Sequence, residues 1–188
     1  MAFNRAKRKA PPLDEPGLYD YAVKALGRRM RTVAELKRLM RSRVESGEDG
    51  EVRIDCVVAR LKEQGYLNDT SYASSYARMR QENQSFGKRR VRQDLLQKGV
   101  HAEVIAKTVD ATYEDVKEEE LARRHLERKR IQKPANEKEA ARVMRMLVRA
   151  GFSTGLIFRI LKKWNVDHEA LSALEFMDNN NPESSNGG

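Results

Sequence analysis

Apolar residues recur three or four positions apart along most of the chain, and charged residues fill the positions between them. This spacing places the apolar residues on one face of an α-helix and predicts an all-α fold. Helices are predicted over about 18–30, 52–64, 88–98, 102–111, 114–131, 153–164 and 168–177, with further helices starting at Thr32, after Asn68 or Asp69, and at Asn136. The glycines and acids of 45–51 predict a loop.

Polar residues and glycines mark where several of these helices begin and end. Thr32 with Glu35, three residues later, has the pattern of a capping box, and Asn136 with Glu139 repeats it. Gly65 suits the left-handed position that follows a helix, and the pairs Gly99-Val100 and Gly151-Phe152 close two further helices in one common way.

The predicted helices repeat as a unit of three. The first helices of the units align at Tyr21, Tyr72 and Leu121, with offsets of 51 and 49 residues. The second helices of the three units share a pair of apolar positions, which are Leu36/Met40, Val91/Leu95 and Val143/Leu147 in chain order. The third helices share another pair, which is Val57/Leu61, Ile105/Val109 and Ile157/Leu161. A basic residue recurs in the first helices at Arg29, Arg80 and Lys129. Because one unit alone buries too little apolar surface, we expect an elongated curved array of three tandem three-helix units.

The expected domain boundaries follow from this repeat. We expect a basic disordered arm at 1–16, three-helix units at 17–67, 68–113 and 114–166, and a short helix with an acidic and polar disordered tail at 167–188.

Charge is spread unevenly along the chain. All 37 Lys and Arg lie at or before Lys163, and five of the 28 acids follow it, so the net charge is +14 up to Lys163 and −5 beyond it. A basic body attracts polyanions, which makes nucleic acid or an acidic protein surface the expected kind of partner. Ordinary solubilising charge is the alternative interpretation.

Catalytic chemistry is not indicated. The three histidines have no ligand-like spacing with the single Cys56, and no glycine-rich phosphate loop or nucleophile motif is found. We therefore predict a protein that is not an enzyme and has no cofactor or metal. His125 stands at the place of Tyr76 in the repeat and is predicted to be a packing residue. Cys56 is predicted to be a small core residue in a cytoplasmic protein, and no apolar run reaches membrane-spanning length.

The sequence resembles the RecX family of bacterial regulatory proteins over about 18–164. The resemblance rests on Ala22-x-x-x-Leu26-x-x-Arg29-x-x-Thr32-x-x-Glu35-Leu36, on Gly65-Tyr66-Leu67-Asn68-Asp69-x-x-Tyr72-Ala73 with Arg80, and on Gly87-x-Arg89-Arg90-Val91-x-x-Asp94-Leu95-x-x-Lys98-Gly99-Val100. Thr32 stands where the family usually has serine and Asp94 where it usually has glutamate; both keep the chemistry of the usual residue.

The resemblance implies a regulator that binds the RecA filament on single-stranded DNA, and we expect the protein to be a monomer. It implies inhibition of the recombinase, ATPase and coprotease activities of RecA, and so a role in DNA repair, recombination and the SOS response. The densest basic cluster, Lys88 to Arg92, is predicted at the start of the second helix of the middle unit, where cations oppose the helix dipole and are not explained by stability. We therefore expect it to contact acids of the filament or DNA phosphates, with simple solvation as the alternative. The candidate partner-binding residues are Arg28, Arg29, Arg31, Arg80, Lys88, Arg89, Arg90, Arg92 and Lys98.

Two other interpretations stay open. The first is a direct DNA- or RNA-binding helical protein with helix-turn-helix-like units, in which the basic face contacts DNA. The second is a helical scaffold for an unrelated partner. An alternative role for Arg29 and Arg80 is pairing with helix carboxylates inside the array. The basic residues of the charged helix in the third unit are expected to pair with glutamates of the same helix. These basic residues are Arg123, Arg124, Arg128, Lys129 and Arg130, and the glutamates are Glu119, Glu120 and Glu127. Tyr66, Tyr72 and Tyr76 are predicted to be core residues rather than base-stacking platforms.

Overall fold

A computed structural model describes residues 11–164. Within this range the chain forms nine α-helices and no β-strand, which confirms the predicted all-α class. The helices are α1 (Glu15–Arg28), α2 (Val33–Arg41), α3 (Glu48–Glu63), α4 (Asp69–Gln84), α5 (Lys88–Gln97), α6 (Ala102–Tyr113), α7 (Glu118–Arg128), α8 (Glu137–Arg149) and α9 (Thr154–Lys163). None of these helices is both long and apolar enough to cross a membrane. The predictions for residues 1–10, for the helix at 168–177 and for the tail lie outside the described range.

Two compact units divide the chain. Within the described range, the first compact unit contains residues 11–73 together with Leu95–Ile105, and the second contains Ser74–Asp94 together with residues 106–164. Each includes a complete three-helix group, α1–α3 in the first unit and α7–α9 in the second. The helices α4, α5 and α6 between these groups contribute residues to both units.

Burial follows the predicted repeat. The alanines Ala22, Ala73 and Ala122 are fully buried in α1, α4 and α7. All of the aligned positions in the second and third helices are buried as well: Leu36, Met40, Val57, Leu61, Val91, Leu95, Ile105, Val109, Val143, Leu147, Ile157 and Leu161. The same positions therefore build the core in each group of three helices.

Side-chain caps fix five of the helix starts within residues 11–164, at Asp14, Thr32, Asn68, Asn136 and Ser153. The Thr32 Oγ1 accepts the Glu35 N–H at 3.0 Å, and the Asn136 Oδ1 accepts the Glu139 N–H at 2.9 Å, which confirms the N-cap half of the two predicted capping boxes. The acids have other partners than the predicted N-cap N–H groups: the Glu35 carboxylate pairs with Lys98, and that of Glu139 accepts the Ala135 N–H. For α4 the cap is Asn68, which accepts the Ser71 N–H at 3.0 Å. Asp69, the alternative, instead accepts the Val33 N–H at 2.9 Å and so ties α4 to the start of α2.

Left-handed glycines end α5 and α8 in the same way. Gly99 has φ 76° and Gly151 has φ 91°. In both turns the following residue donates to a carbonyl five positions back, Val100 to Leu95 at 3.1 Å and Phe152 to Leu147 at 3.1 Å. This pattern is the Schellman motif, which satisfies the last carbonyls of a helix and favours glycine at its left-handed position.

Each of these glycine turns meets the start of another second helix. In the first compact unit, the Thr32 hydroxyl donates to the Lys98 carbonyl at 2.6 Å, and Gly99 lies against Ala34. In the second compact unit, the Gly87 N–H donates to the Ala150 carbonyl at 2.8 Å, and Gly151 lies against Arg90. The negative end of one helix therefore meets the positive end of another in both units, which is favourable for the two helix dipoles.

Three predicted boundaries are wrong. Helix α3 begins at Glu48, inside the predicted loop 45–51, because acids in a first turn are stabilised by the helix dipole. Helix α1 begins at Glu15, ahead of the predicted start at 18, since Asp14 caps it and Pro16 is tolerated in the first turn. Helix α7 spans Glu118–Arg128 rather than 114–131, because α6 continues to Tyr113 and the left-handed Arg130 prevents α7 from continuing.

Two predicted core residues are exposed. Cys56 lies on the outer side of α3, because Ile54, Val57 and Leu61 form the buried stripe. Tyr66 is 60 % exposed, just beyond the end of α3. The prediction is confirmed for Tyr72 and Tyr76, which are buried.

Candidate partner-binding surface

The basic start of α5 is held by acids of the same molecule. Of the four cations between Lys88 and Arg92, three lie beside a carboxylate, and these contacts divide into two clusters around Asp94 and Asp110. Arg89 is the exception. It is exposed and makes no ion pair within residues 11–164.

The first cluster surrounds the buried Asp94. Its carboxylate accepts the Tyr76 hydroxyl at 3.0 Å and lies 2.9 Å from the Arg90 Nε and 3.6 Å from the Arg80 Nη2. Arg80 also donates to the Tyr76 hydroxyl at 2.6 Å and lies over the rings of Tyr76 and Phe86. Burial raises the pKa of Tyr76, although its hydrogen bond from Arg80 opposes this effect. Arg80 thus has the internal carboxylate partner that the sequence offered as an alternative.

The second cluster joins α5 to α6. Asp110 pairs with Lys88, and its Oδ1 accepts the Arg92 Nη2 at 2.5 Å. The hydrogen bond from Lys88, together with that from Arg92, lowers the pKa of Asp110 below its ordinary value. These side chains are a third to a half exposed, so each pair stabilises the fold by less than a buried pair would.

Lys98 is engaged at the other end of α5. Its Nζ lies 3.0 Å from the Glu35 Oε1 and 5.8 Å from the centre of the Tyr72 ring. Burial opposes the charged ammonium, but hydrogen bonds to Glu35 and Tyr72 outweigh it and raise the pKa of Lys98. In the first compact unit, Lys98 therefore helps to hold α5 against the start of α2.

The candidate residues that follow α1 are the most accessible. Arg28 and Arg29 are exposed and make no ion pair within the described residues, while the Arg31 Nε donates to the Ala25 carbonyl at 3.4 Å. Lys129, the counterpart of Arg29 in the third group, is also exposed just past the end of α7, whereas Arg80 is half-buried within α4. The repeated basic residue consequently has different surroundings in the three groups.

Charges along α7 were expected to pair with neighbouring glutamates, and this is confirmed for one arginine. The Arg123 Nη2 lies 2.6 Å from the Glu119 Oε1, which also pairs with Lys163 on α9 at 2.6 Å. The hydrogen bond from Lys163 lowers the pKa of Glu119, and Arg123 adds to this effect. His125 is buried, as predicted, and its Nδ1 contacts the Gln84 carbonyl at 3.0 Å.

A basic groove along α8 was missed by the sequence analysis. This groove, called the α8 groove below, has a volume of about 880 Å³ and a partly apolar lining that includes Phe86, Ile131, Pro134, Val143 and Met146. Its cations are Arg90, Lys129, Lys133, Arg142, Arg145 and Arg149. The spacing of Arg142, Arg145 and Arg149, three and four residues apart, places them on one helix face and was the available signal.

The cations of the α8 groove differ from those of α5 in lacking acidic partners. Apart from Arg90, all of them are exposed and make no ion pair within residues 11–164. The one acid in the lining, Glu139, is occupied at the start of α8, where its carboxylate accepts the Ala135 N–H at 2.8 Å. The groove therefore carries a positive charge that the described part of the chain leaves uncompensated.

No group of three or more histidine, cysteine or acidic side chains suited to a metal ion lies within residues 11–164. The candidate surface in this range is built from the cations and the partly apolar groove described above. Such a surface supports binding through charge and shape.

Comparison with known protein families identifies two of the three-helix groups. Residues 68–109 match the family model for the second three-helix domain of RecX, and residues 117–161 match the model for the third. These matches contain α4–α6 and α7–α9, apart from a few terminal residues.

Whole-chain relatives and solved structures agree with these domains. The chain is 35 % identical over 150 residues to Regulatory protein RecX of Leptothrix cholodnii, covering 79 % of this chain and 89 % of the relative. It is 36 % identical over 159 residues to Regulatory protein RecX of Myxococcus xanthus, covering 77 % of this chain and 83 % of the relative. The crystal structure of RecX from Lactobacillus salivarius has a similar fold, with a TM-score of 0.63, 22 % identity, and coverage of 80 % of this chain and 96 % of that one. The chain belongs to the RecX family of regulatory proteins.

Proposed function

We propose that this chain binds the RecA filament on single-stranded DNA and inhibits the recombinase, ATPase and coprotease activities of RecA. The observation that carries the proposal is membership of the RecX family over most of the chain. The proposed regulator acts as a cytoplasmic monomer, by binding alone and without a cofactor.

The accessible cations give this proposal a physical basis. A filament of protein on single-stranded DNA is a polyanion, so exposed basic residues raise the rate of encounter and help to select the partner. Arg28, Arg29 and Arg89 are exposed and have no acidic partner within the described residues. We place the first filament contacts at these three residues, whereas Arg80, Arg90 and Lys98 chiefly support the fold.

Direct binding of DNA or RNA is the second candidate function. The observation that favours it is the α8 groove, whose unpaired cations and partly apolar lining suit a nucleic-acid strand. In this case the protein acts on bare nucleic acid rather than on the filament.

One experiment separates the two functions. The rate of ATP hydrolysis by RecA on single-stranded DNA is measured while this protein is added, and binding of the protein to the bare DNA is measured over a range of salt concentrations. A falling rate at protein concentrations that leave the bare DNA unbound supports the RecA regulator. An unchanged rate with tight, salt-dependent binding to bare DNA contradicts it and favours direct binding.

Charge reversals then test the proposed contacts. Arg28→Glu with Arg29→Glu, and Arg89→Glu separately, are expected to weaken inhibition without lowering the melting temperature, since none of these side chains holds the fold. Lys107→Glu on α6, an exposed cation without an ion pair in the described range, is the matched control. Equal inhibition by all of these variants would show that the contacts lie elsewhere.

A further inference from the structure

The α8 groove combines an apolar lining with a cationic rim. Its volume of about 880 Å³ lies within the range of sites that take a ligand, roughly 300–1,000 Å³. Val143 and Met146 contribute apolar side chains from α8, and Ile131 and Pro134 contribute them from the segment that precedes it. An occupant that matches this groove has negative charges and apolar groups close together.

The described chain ends beside this groove. Trp164 and Ile131 line one small cavity together, and Ile131 also lines the α8 groove. The sequence continues for 24 residues beyond Trp164. Because an extended chain advances roughly 3.3–3.6 Å per residue, ten residues suffice to reach about 35 Å from Trp164.

The sequence beyond Trp164 has the composition that the groove requires. It contains five acids and neither Lys nor Arg. Two of these acids lie next to large apolar residues, in the run Leu174-Glu175-Phe176-Met177-Asp178. This stretch therefore supplies both of the features that the groove selects, and it does so from within the same chain.

We propose that the acidic C-terminal segment, residues 165–188, occupies the α8 groove of its own chain. Its carboxylates neutralise Arg142, Arg145 and Arg149, and its apolar side chains cover the lining around Val143 and Met146. Because the segment is tethered at Trp164, its local concentration at the groove is high, so a modest intrinsic affinity is sufficient. The segment then competes with any outside anion for these cations.

The test is a paramagnetic-relaxation measurement on the full chain. The exposed Cys56 is replaced by serine, Ser172→Cys introduces a single thiol, and a spin label is attached there. Amide signals of Arg142, Arg145 and Arg149 are recorded at low salt, with labelled protein diluted into excess chains that carry neither label nor isotope. We expect these signals to lose most of their intensity, and to recover it in 1 M salt, where the Debye length falls to about 3 Å.

A charge exchange makes the test specific. Arg142→Glu with Arg145→Glu is expected to abolish the loss of intensity, and so is Glu169→Lys with Glu175→Lys. Combining all four changes is expected to restore the loss, because the charges again complement each other. The matched control is Arg78→Glu with Lys107→Glu, which reverses two exposed cations outside the groove and is expected to leave the loss unchanged.

Three outcomes overturn the proposal. The first is full intensity of the α8 amides at low salt in the otherwise unchanged chain. The second is an equal effect of the groove variant and the control variant. The third is a loss of intensity seen only when labelled chains are mixed with isotope-enriched ones, which assigns the segment to the groove of a second copy. All of these readouts are independent of RecA.

Discussion

The second helices of the two matched RecX domains, α5 and α8, both carry several cations and use them differently. On α5 the cations Lys88, Arg90 and Arg92 lie beside carboxylates. On α8 the cations Arg142, Arg145 and Arg149 have no acidic partner within residues 11–164. The density of basic residues along the sequence therefore does not tell which of them are available to a partner.

The two acids beside the α5 cations have no acidic counterpart at the aligned positions of the third domain. The alignment of α5 with α8, and of α6 with α9, uses one offset of 52 residues. With that offset, Asp94 corresponds to Met146 and Asp110 to Lys162. The third domain thus has an apolar and a basic residue at the positions of the two acids that neutralise α5. Among the α8 cations, Arg142 is the counterpart of Arg90 and lacks its acid, whereas Arg145 and Arg149 stand at the positions of Gln93 and Gln97.

The largest expected effect sharpens the comparison at the place where α5 and α8 meet. Gly151→Ala is expected to lower the free energy of unfolding by about 3 kcal/mol, because a Cβ at this left-handed residue collides with the Arg90 backbone. The matched control is Gly65→Ala, which has a similar φ of 74° but free space around its Cβ, and is expected to cost about 1 kcal/mol. Urea unfolding followed by circular dichroism measures both. Equal losses of unfolding free energy in the Gly151→Ala and Gly65→Ala variants would contradict the close contact between Gly151 and the Arg90 backbone.

The next effect tests the acids of α5. Asp94→Ala is expected to lower the free energy of unfolding by about 2 kcal/mol, because it leaves Tyr76, Arg80 and Arg90 without their buried acceptor. Asp110→Ala is expected to cost less than about 1 kcal/mol, since its pairs are partly exposed. The measurement is again urea unfolding, and a larger loss for Asp110→Ala would reverse our ranking of the two clusters.

Much of the fold, and less of the candidate surface, could be predicted from the sequence. The helices, their caps and the buried stripes depend on neighbours within about four positions, so their spacing was sufficient. The shared partner of Lys88 and Arg92 depends on packing that brings Asp110 to Lys88 across 22 residues, whereas Arg90 and Asp94 are an i,i+4 pair whose spacing was visible in the sequence. The loop prediction at 45–51 failed because acids and glycine are common both in loops and in the first turn of a helix.

A smaller, pH-dependent effect distinguishes the third domain. His125 stands where the second domain has Tyr76, and burial lowers the pKa of its imidazole below the ordinary 6.5. Below pH 6.5 the unfolded chain binds a proton that the folded chain resists, so stability is expected to be complete above this pH and to decline as the pH falls. Unfolding at several pH values between 5 and 8 measures this contribution. In His125→Asn it is expected to disappear, and an unchanged pH profile would assign the effect to another group.

The smallest effect concerns the turn after α7. Arg130 has φ 53° and makes the same pair of backbone hydrogen bonds as Gly99, with its N–H donating to Glu127 at 2.9 Å and Ile131 donating to Leu126 at 3.0 Å. Arg130→Gly is expected to raise the free energy of unfolding by roughly 0.5–1 kcal/mol, because glycine adopts this conformation without steric cost. A lower melting temperature in this variant would show that the Arg130 side chain contributes more than its backbone costs.

The most direct test of the central claim compares two double charge reversals by their free energies of unfolding. One changes Lys88 and Arg92 on α5 to glutamate, and the other changes Arg142 and Arg145 on α8 to glutamate, so the change in net charge is the same. We predict a loss of about 1–2 kcal/mol for the α5 variant, because both new acids face Asp110, and a change within about 0.5 kcal/mol for the α8 variant. Equal losses, or a larger loss for the α8 variant, would contradict the claim that the charges of α5 support the fold while those of α8 are available to an anionic partner.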